Sequence, residues 1–138
     1  MVMPGALTGS IAPYSGRTCV CGFSPQCAPY PWFTRSNIGG RFGGELKRAG
    51  YDAVIIEGAS EAPVYLVIEN GRAEIRDARK LWGMDVADAE KAVREELGGK
   101  KFRTAAIGPA GENIVKFAAV EKGKDAFADR NGGGGRMG

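Results

Sequence analysis

The strongest constraint on the fold is a local one. Val64-Tyr-Leu-Val-Ile-Glu69 and Arg72-Ala-Glu-Ile-Arg76 flank Asn70-Gly71, and Asn-Gly supplies the positive φ values that a two-residue type I′ turn demands. An antiparallel hairpin is therefore expected here. Glycine punctuates the rest of the chain, with clusters at Gly39-Gly40, Gly43-Gly44, Gly98-Gly99 and Gly132 to Gly135, so backbone conformation matters most at those points. At 138 residues and 43% hydrophobic content the chain is long enough for one domain with an apolar core.

Residues 1 to 35 are dense in Pro, Gly, Ser and Thr, which excludes long helices and predicts short strands joined by constrained turns. Thr18 to Phe23 is the best strand candidate, with Cys19, Cys21 and Phe23 on one face and Thr18 and Val20 on the other. Gly44-Glu-Leu-Lys-Arg-Ala-Gly50 reads as a short helix closed by Gly50, and the β-branched run Ala53 to Glu57 as a buried strand. Asp85 is placed to cap a helix through about Leu97. There Val86, Ala89, Val93 and Leu97 recur at helical spacing and Glu90, Lys91, Arg94 and Glu95 make a charged face. Phe102 to Ile107 and Ile114 to Val120 read as strands around a loop at Gly108 to Asn113. The fold class is α+β, rich in β, with antiparallel sheets and short helices.

Composition excludes more than it names. The net charge of +3 is small and interspersed, which gives no nucleic-acid arm and no membrane-binding basic run. No stretch approaches the roughly 18 apolar residues of a spanning helix, and no secretion signal is visible, so a cytoplasmic protein is expected. The absence of histidine removes the commonest general base and every Ser-His or Cys-His nucleophile pair. Three cysteines argue for reduced thiols over a disulfide framework. Cys19-x-Cys21 on a strand lacks the loop geometry of zinc and iron-sulfur sites, so buried or half-buried thiols are expected.

Two segments offer sites for an anion. Ser36-Asn-Ile-Gly-Gly40 followed by Phe42-Gly-Gly44 and a short helix reads either as structural turns or as backbone N–H groups that hold a phosphate. It is no Walker loop, since no Gly-Lys-Ser/Thr follows, and no dinucleotide fingerprint, since it follows a proline-rich stretch instead of a strand. Arg130-Asn131 leading into Gly132 to Gly135 is either a solvated tail or a guanidinium beside close-approach backbone. Arg17, at the start of the first good strand, is a third candidate, with a surface arginine as the plain alternative. The acidic residues show no spacing that singles out a catalytic pair.

Taken in order, Gly5-Ala-Leu-Thr-Gly9, Gly16-Arg17, Ser36-Asn-Ile-Gly-Gly40, Phe42-Gly-Gly-Glu-Leu-Lys47, Ala49-Gly-Tyr-Asp52, Leu81-Trp-Gly83 and Ala106-Ile-Gly-Pro-Ala-Gly-Glu-Asn113 resemble the amino-terminal domain of aldehyde ferredoxin oxidoreductases, over nearly the whole chain. The resemblance implies a β-rich base for a tungsten or molybdenum bis-pterin cofactor whose phosphates are bridged by magnesium. It implies cofactor contacts from Arg17, Asn37, Gly39, Arg130, Asn131 and Gly133, with the backbone carbonyls of Asn37 and Asn131 as magnesium ligands. Aldehyde would be the substrate, and electrons would pass through a 4Fe-4S cluster to ferredoxin. Cys19, Cys21 and Cys27 do not match the family's cluster motif, so the cluster ligands are expected outside this chain. Residues 1–138 are thus expected to be a pterin-binding domain truncated at both ends, without the cluster-bearing helical domains and inactive alone. A homo-oligomer is compatible with the family. The alternatives are a stand-alone pterin-binding module, or part of a related tungsten reductase acting on an aromatic thioester.

Overall fold

A computed structural model of the chain describes residues 1–27, 29–30, 32–99, 102–122, 126–128 and 133–138. Its centre is an antiparallel sheet of β1 (Val2–Pro4), β2 (Thr18–Phe23) and β3 (Phe33–Ile38), in that order. Register pairs Thr18 with Ile38 and Val20 with Ser36, and strand alternation turns Thr18, Val20 and Ile38 inward. Cys19 opposite Asn37, Cys21 opposite Arg35 and Phe23 opposite Phe33 share the other face. The rings of that last pair meet edge-on, with centroids 6.1 Å apart.

β3 was not legible as a strand. Its residues Thr34, Arg35, Ser36 and Asn37 are polar, and it is pairing with β2 that makes the segment extended. The expectation that no strand precedes the glycine-rich segment is therefore corrected. Only Gly39, Gly40 and Arg41 separate β3 from α1 (Phe42–Arg48), which starts two residues before the expected Gly44 and closes at Gly50 with φ +94°.

The hairpin forms as expected, between β4 (Val64–Glu69) and β5 (Arg72–Asp77), with φ of 50° at Asn70 and 77° at Gly71. Helix α2 (Val86–Glu96) follows, with Asp85 at its N-cap position, although that carboxylate makes no capping hydrogen bond. Its charged face is not wholly solvated, because Glu90 is buried and paired with Arg94. Tyr65 Oη donates to Glu96 Oε1 at 2.7 Å, fastening α2 to the hairpin.

Three expected strands are corrected. Residues 53–57 are held by one bridge, Val54 to Val2, and Ile55 and Ile56 are exposed. Residues 102–107 contribute only the bridge of Ala106 to Glu121. Residues 114–119 turn, with φ 56° at Ile114, and the strand β6 begins only at Val120 (Val120–Lys122) and pairs with β7 (Ala126–Ala128). In each case an apolar run lacks the neighbouring strand that its backbone hydrogen bonds would require. The expected loop at 108–113 contains a short helix, α3 (Pro109–Glu112), with proline where an N–H is not needed.

Within the glycine run, Gly133, Gly134 and Gly135 are helical as well. In α4 (Gly133–Met137) both Gly134 and Gly135 are buried, and α4 packs on α3 and β2. A Cβ on Gly134 would lie 2.8 Å from the carbonyl carbon of Ala118 and 2.9 Å from its oxygen. Gly134 N–H donates to that same oxygen at 2.9 Å. This backbone-on-backbone contact overrides glycine's poor helix propensity, which is why a tail was the plain alternative on local grounds.

Both ends of the chain build the core. Val20 and Ile38 pack with Val120 and Ala128, flanked by Ala105 and Ile107. Among the described residues no helix is long and apolar enough to cross a membrane.

Glu121, next to this core, is half-buried. Burial, and then the nearby Asp85 carboxylate, raise its pKa above the ordinary 4.5. A raised folded-state value means that the protonated form favours folding. The stabilisation is whole below pH 4.5 and is lost as pH climbs through the raised value. Glu121→Gln is expected to raise the thermal midpoint at pH 7.5 and to leave it near the parent's at pH 4. Melting curves followed by circular dichroism across that range would check this, and equal midpoints at pH 7.5 would refute it.

Candidate functional site

Arg17, Asn37 and Gly39 come together at one end of the central sheet. Asn37 and Cys19 are paired, and extending the register by one step sets Arg17 across from Gly39. The geometry agrees, since a Cβ added to Gly39 would meet Arg17 Nη1 at 3.9 Å and no other atom within 4 Å outside its chain neighbours. Arg17 is held at its backbone. Its carbonyl accepts from Gly5 N–H at 3.2 Å and lies 3.1 Å from the hydroxyl of buried Thr8, which also reaches the Ser15 carbonyl at 2.6 Å. The guanidinium is left at the surface.

The turn itself is open to a ligand. Among the described residues the N–H groups of Gly39, Gly40 and Arg41 donate to no backbone carbonyl. Gly40 has φ +86°, a conformation that glycine adopts without strain. Its missing side chain leaves room for Lys122: the ammonium fills the place a Cβ would take, with Lys122 Cε 3.5 Å and Cδ 3.9 Å from it. Sequence inspection missed Lys122, because it lies at the far end of the chain in a segment with no motif.

Charge bears on what this end of the sheet can hold. Lys47, Arg48, Arg76, Arg79, Lys91 and Arg94 all pair with carboxylates on α1, the hairpin, α2 or the loops beside them. Arg17 and Lys122, like Arg35, Arg41, Arg72, Lys80, Arg103, Lys116 and Arg136, have no such partner among the described residues, and these two meet at the Gly39-Gly40 turn. Uncompensated cations beside free backbone N–H groups suit a phosphate or a similar anion.

The other expected contacts divide. Gly133 is the first residue of α4 and lies with that helix against α3 and β2. Arg130 and Asn131 lie outside the described residues. The cysteines show no ligand cluster. Burial, followed by the neighbouring Cys21, raises the pKa of the Cys19 thiol, which therefore stays protonated at neutral pH. Cys21 is buried, and Cys27 is exposed, against the expectation of a buried or half-buried thiol. Among the described residues no three Cys, Asp or Glu side chains converge as metal ligands.

Comparison with known proteins identifies the family. Residues 1–138 match the family described as aldehyde ferredoxin oxidoreductase, N-terminal domain. A tungsten-containing aldehyde ferredoxin oxidoreductase of Thermococcus kodakarensis is 49% identical over 138 residues, which is 100% of this chain and 22% of that protein. The Pyrococcus furiosus protein of the same name is 46% identical over the same shares. Among solved structures, the active-site complex BamBC of benzoyl coenzyme A reductase, bound to 1,5-dienoyl-CoA, superposes with a TM-score of 0.93. It is 40% identical and is matched over 99% of this chain and 20% of its own. The chain thus spans about a fifth of the length of the relatives it matches. With fold and sequence in agreement, the chain belongs to the aldehyde ferredoxin oxidoreductase family, as its N-terminal domain.

Proposed function

We propose that this domain is the cradle for a tungsten or molybdenum bis-pterin cofactor in an oxidoreductase that converts aldehydes to carboxylic acids. The observation that carries the proposal is the approach of Arg17 and Lys122 to the Gly39-Gly40 turn, whose N–H groups donate to no backbone carbonyl and whose cations have no carboxylate partner among the described residues. The donor set fits the cofactor's phosphates, which need several positive or N–H partners and a backbone without side chains in the way. Arg17 would hold a phosphate, Gly39 would let the ligand approach, and the Asn37 carbonyl would serve a bridging magnesium ion. Arg130, Asn131 and Gly133 complete the proposed contact set, with the Asn131 carbonyl as a second magnesium ligand.

When bound, the cofactor supplies the two-electron chemistry at its metal. The residues of this chain bind and orient it. Electron transfer through a 4Fe-4S cluster to ferredoxin is part of the proposal, with the cluster held by polypeptide outside residues 1–138. A second reading, reduction of an aromatic thioester, is favoured by the likeness to the benzoyl coenzyme A reductase complex. The cradle serves either reaction.

The test is the tungsten, molybdenum and pterin content of the full natural polypeptide, made in a host that synthesises the pterin. About one tungsten or molybdenum per polypeptide, released together with pterin, is expected. Neither metal nor pterin in folded protein from such a host would refute the cradle. Activity on aldehydes against aromatic thioesters would then separate the two reactions.

A further inference from the structure

Lys122 is half-buried, and its ammonium rests against the backbone of Gly40, with no carboxylate partner among the described residues. Taking a cation partly out of water without a counter-charge is unfavourable, so the arrangement is best satisfied by an anion from outside the protein. The direction in which that anion lies follows from the neighbours. Arg17 approaches the same turn from β2, through Gly39, while Lys122 approaches it from β6, through Gly40. Between them the N–H groups of Gly39, Gly40 and Arg41 find no backbone carbonyl acceptor among the described residues. Two cations and three N–H groups thus face one glycine turn from two separate strands.

We propose that Lys122 is a second cationic anchor for a phosphate group of the bound cofactor, acting opposite Arg17 across the Gly39-Gly40 turn. This rests on the cofactor cradle proposed above. Lysine suits the role because a flexible point charge can follow a phosphate without fixing its orientation, while the planar fork of Arg17 sets direction. Gly40 is part of the same device. Any larger residue there would both strain the turn and occupy the position of the Lys122 ammonium.

The experiment compares Lys122→Met, Lys122→Arg and Arg17→Ala in the full natural polypeptide. The readouts are pterin, measured by the fluorescence of its oxidised form, and tungsten or molybdenum, measured by plasma mass spectrometry. Lys122→Met should hold the cofactor about tenfold more weakly, the loss expected for one charge-assisted contact. It should therefore shed most of its pterin on dialysis at a salt concentration that leaves the parent loaded. Lys122→Arg should retain it. The thermal midpoint of the cofactor-free protein should be no lower for Lys122→Met than for the parent, because an uncompensated charge is removed and no ion-pair partner among the described residues is lost.

Three results would overturn the proposal. Full retention of pterin by Lys122→Met while Arg17→Ala loses it would remove Lys122 from the site and leave the cradle standing. Retention by both variants would remove the cradle and this anchor together. A lowered midpoint of the cofactor-free Lys122→Met protein, or equal pterin loss in Lys122→Arg, would assign the residue to folding instead of binding.

Discussion

Replacing Gly134 by alanine is expected to destabilise the domain by about 3 kcal/mol, the upper end of what forced overpacking usually costs. The added methyl group would press on the carbonyl group of Ala118 and the carbonyl oxygen of Ala119, which are backbone atoms and cannot swing aside as a side chain would. In an ordinary exposed helix the same change would stabilise, since alanine exceeds glycine in helix propensity by about 1 kcal/mol. The sign therefore decides between a docked helix and a loose tail. Urea unfolding of parent and variant would measure it, and a variant as stable as the parent would mean that α4 does not pack as described. Glycine at this position also brings the end of the chain, immediately after Arg130 and Asn131, down onto the chain at Ala118.

Arg17→Ala in the full natural polypeptide should weaken cofactor retention by roughly 1.5 to 3 kcal/mol, the usual worth of a charge-assisted hydrogen bond. That corresponds to roughly ten- to more than hundredfold in affinity. Folding should be little affected, because the guanidinium is exposed and has no ion-pair partner among the described residues, and the contacts that fix this segment are made by the Arg17 carbonyl, which alanine keeps. Tungsten or molybdenum per polypeptide is the direct measure. Loading equal to the parent's in a normally folded Arg17→Ala protein would contradict the phosphate role.

How far the sequence could be read depended on whether a signal was local. Asn70-Gly71 fixed its hairpin because the turn's φ values are a property of two residues. The periodicity of α2 likewise needs no partner to be seen. β3 escaped notice because nothing in Thr34 to Asn37 marks a strand until β2 lies beside it. The apolar runs at 53–57, 102–107 and 114–119 misled for the opposite reason, since hydrophobicity suggested sheet where pairing is confined to single bridges or absent. The family motifs pointed to Arg17, Asn37 and Gly39, and the structure brings these three together. Lys122 had no motif to point to it. The role proposed for it rests on a contact with Gly40 that only tertiary structure creates.

The core joins Val20 and Ile38 from early in the chain to Val120 and Ala128 from its far end, and this has a kinetic consequence. Contacts so distant in sequence must close a long loop before they gain any stability, which slows folding and leaves the early strands unsatisfied while the rest of the chain is being made. During synthesis, β2 and β3 would wait with one face uncovered until β6 and β7 had left the ribosome. The cationic turn would be incomplete for the same interval, since Arg17 would be present without Lys122. Loading of the proposed cofactor would therefore follow synthesis of this domain, and a cell that inserts it would have either to act late or to keep the unfinished sheet from aggregating.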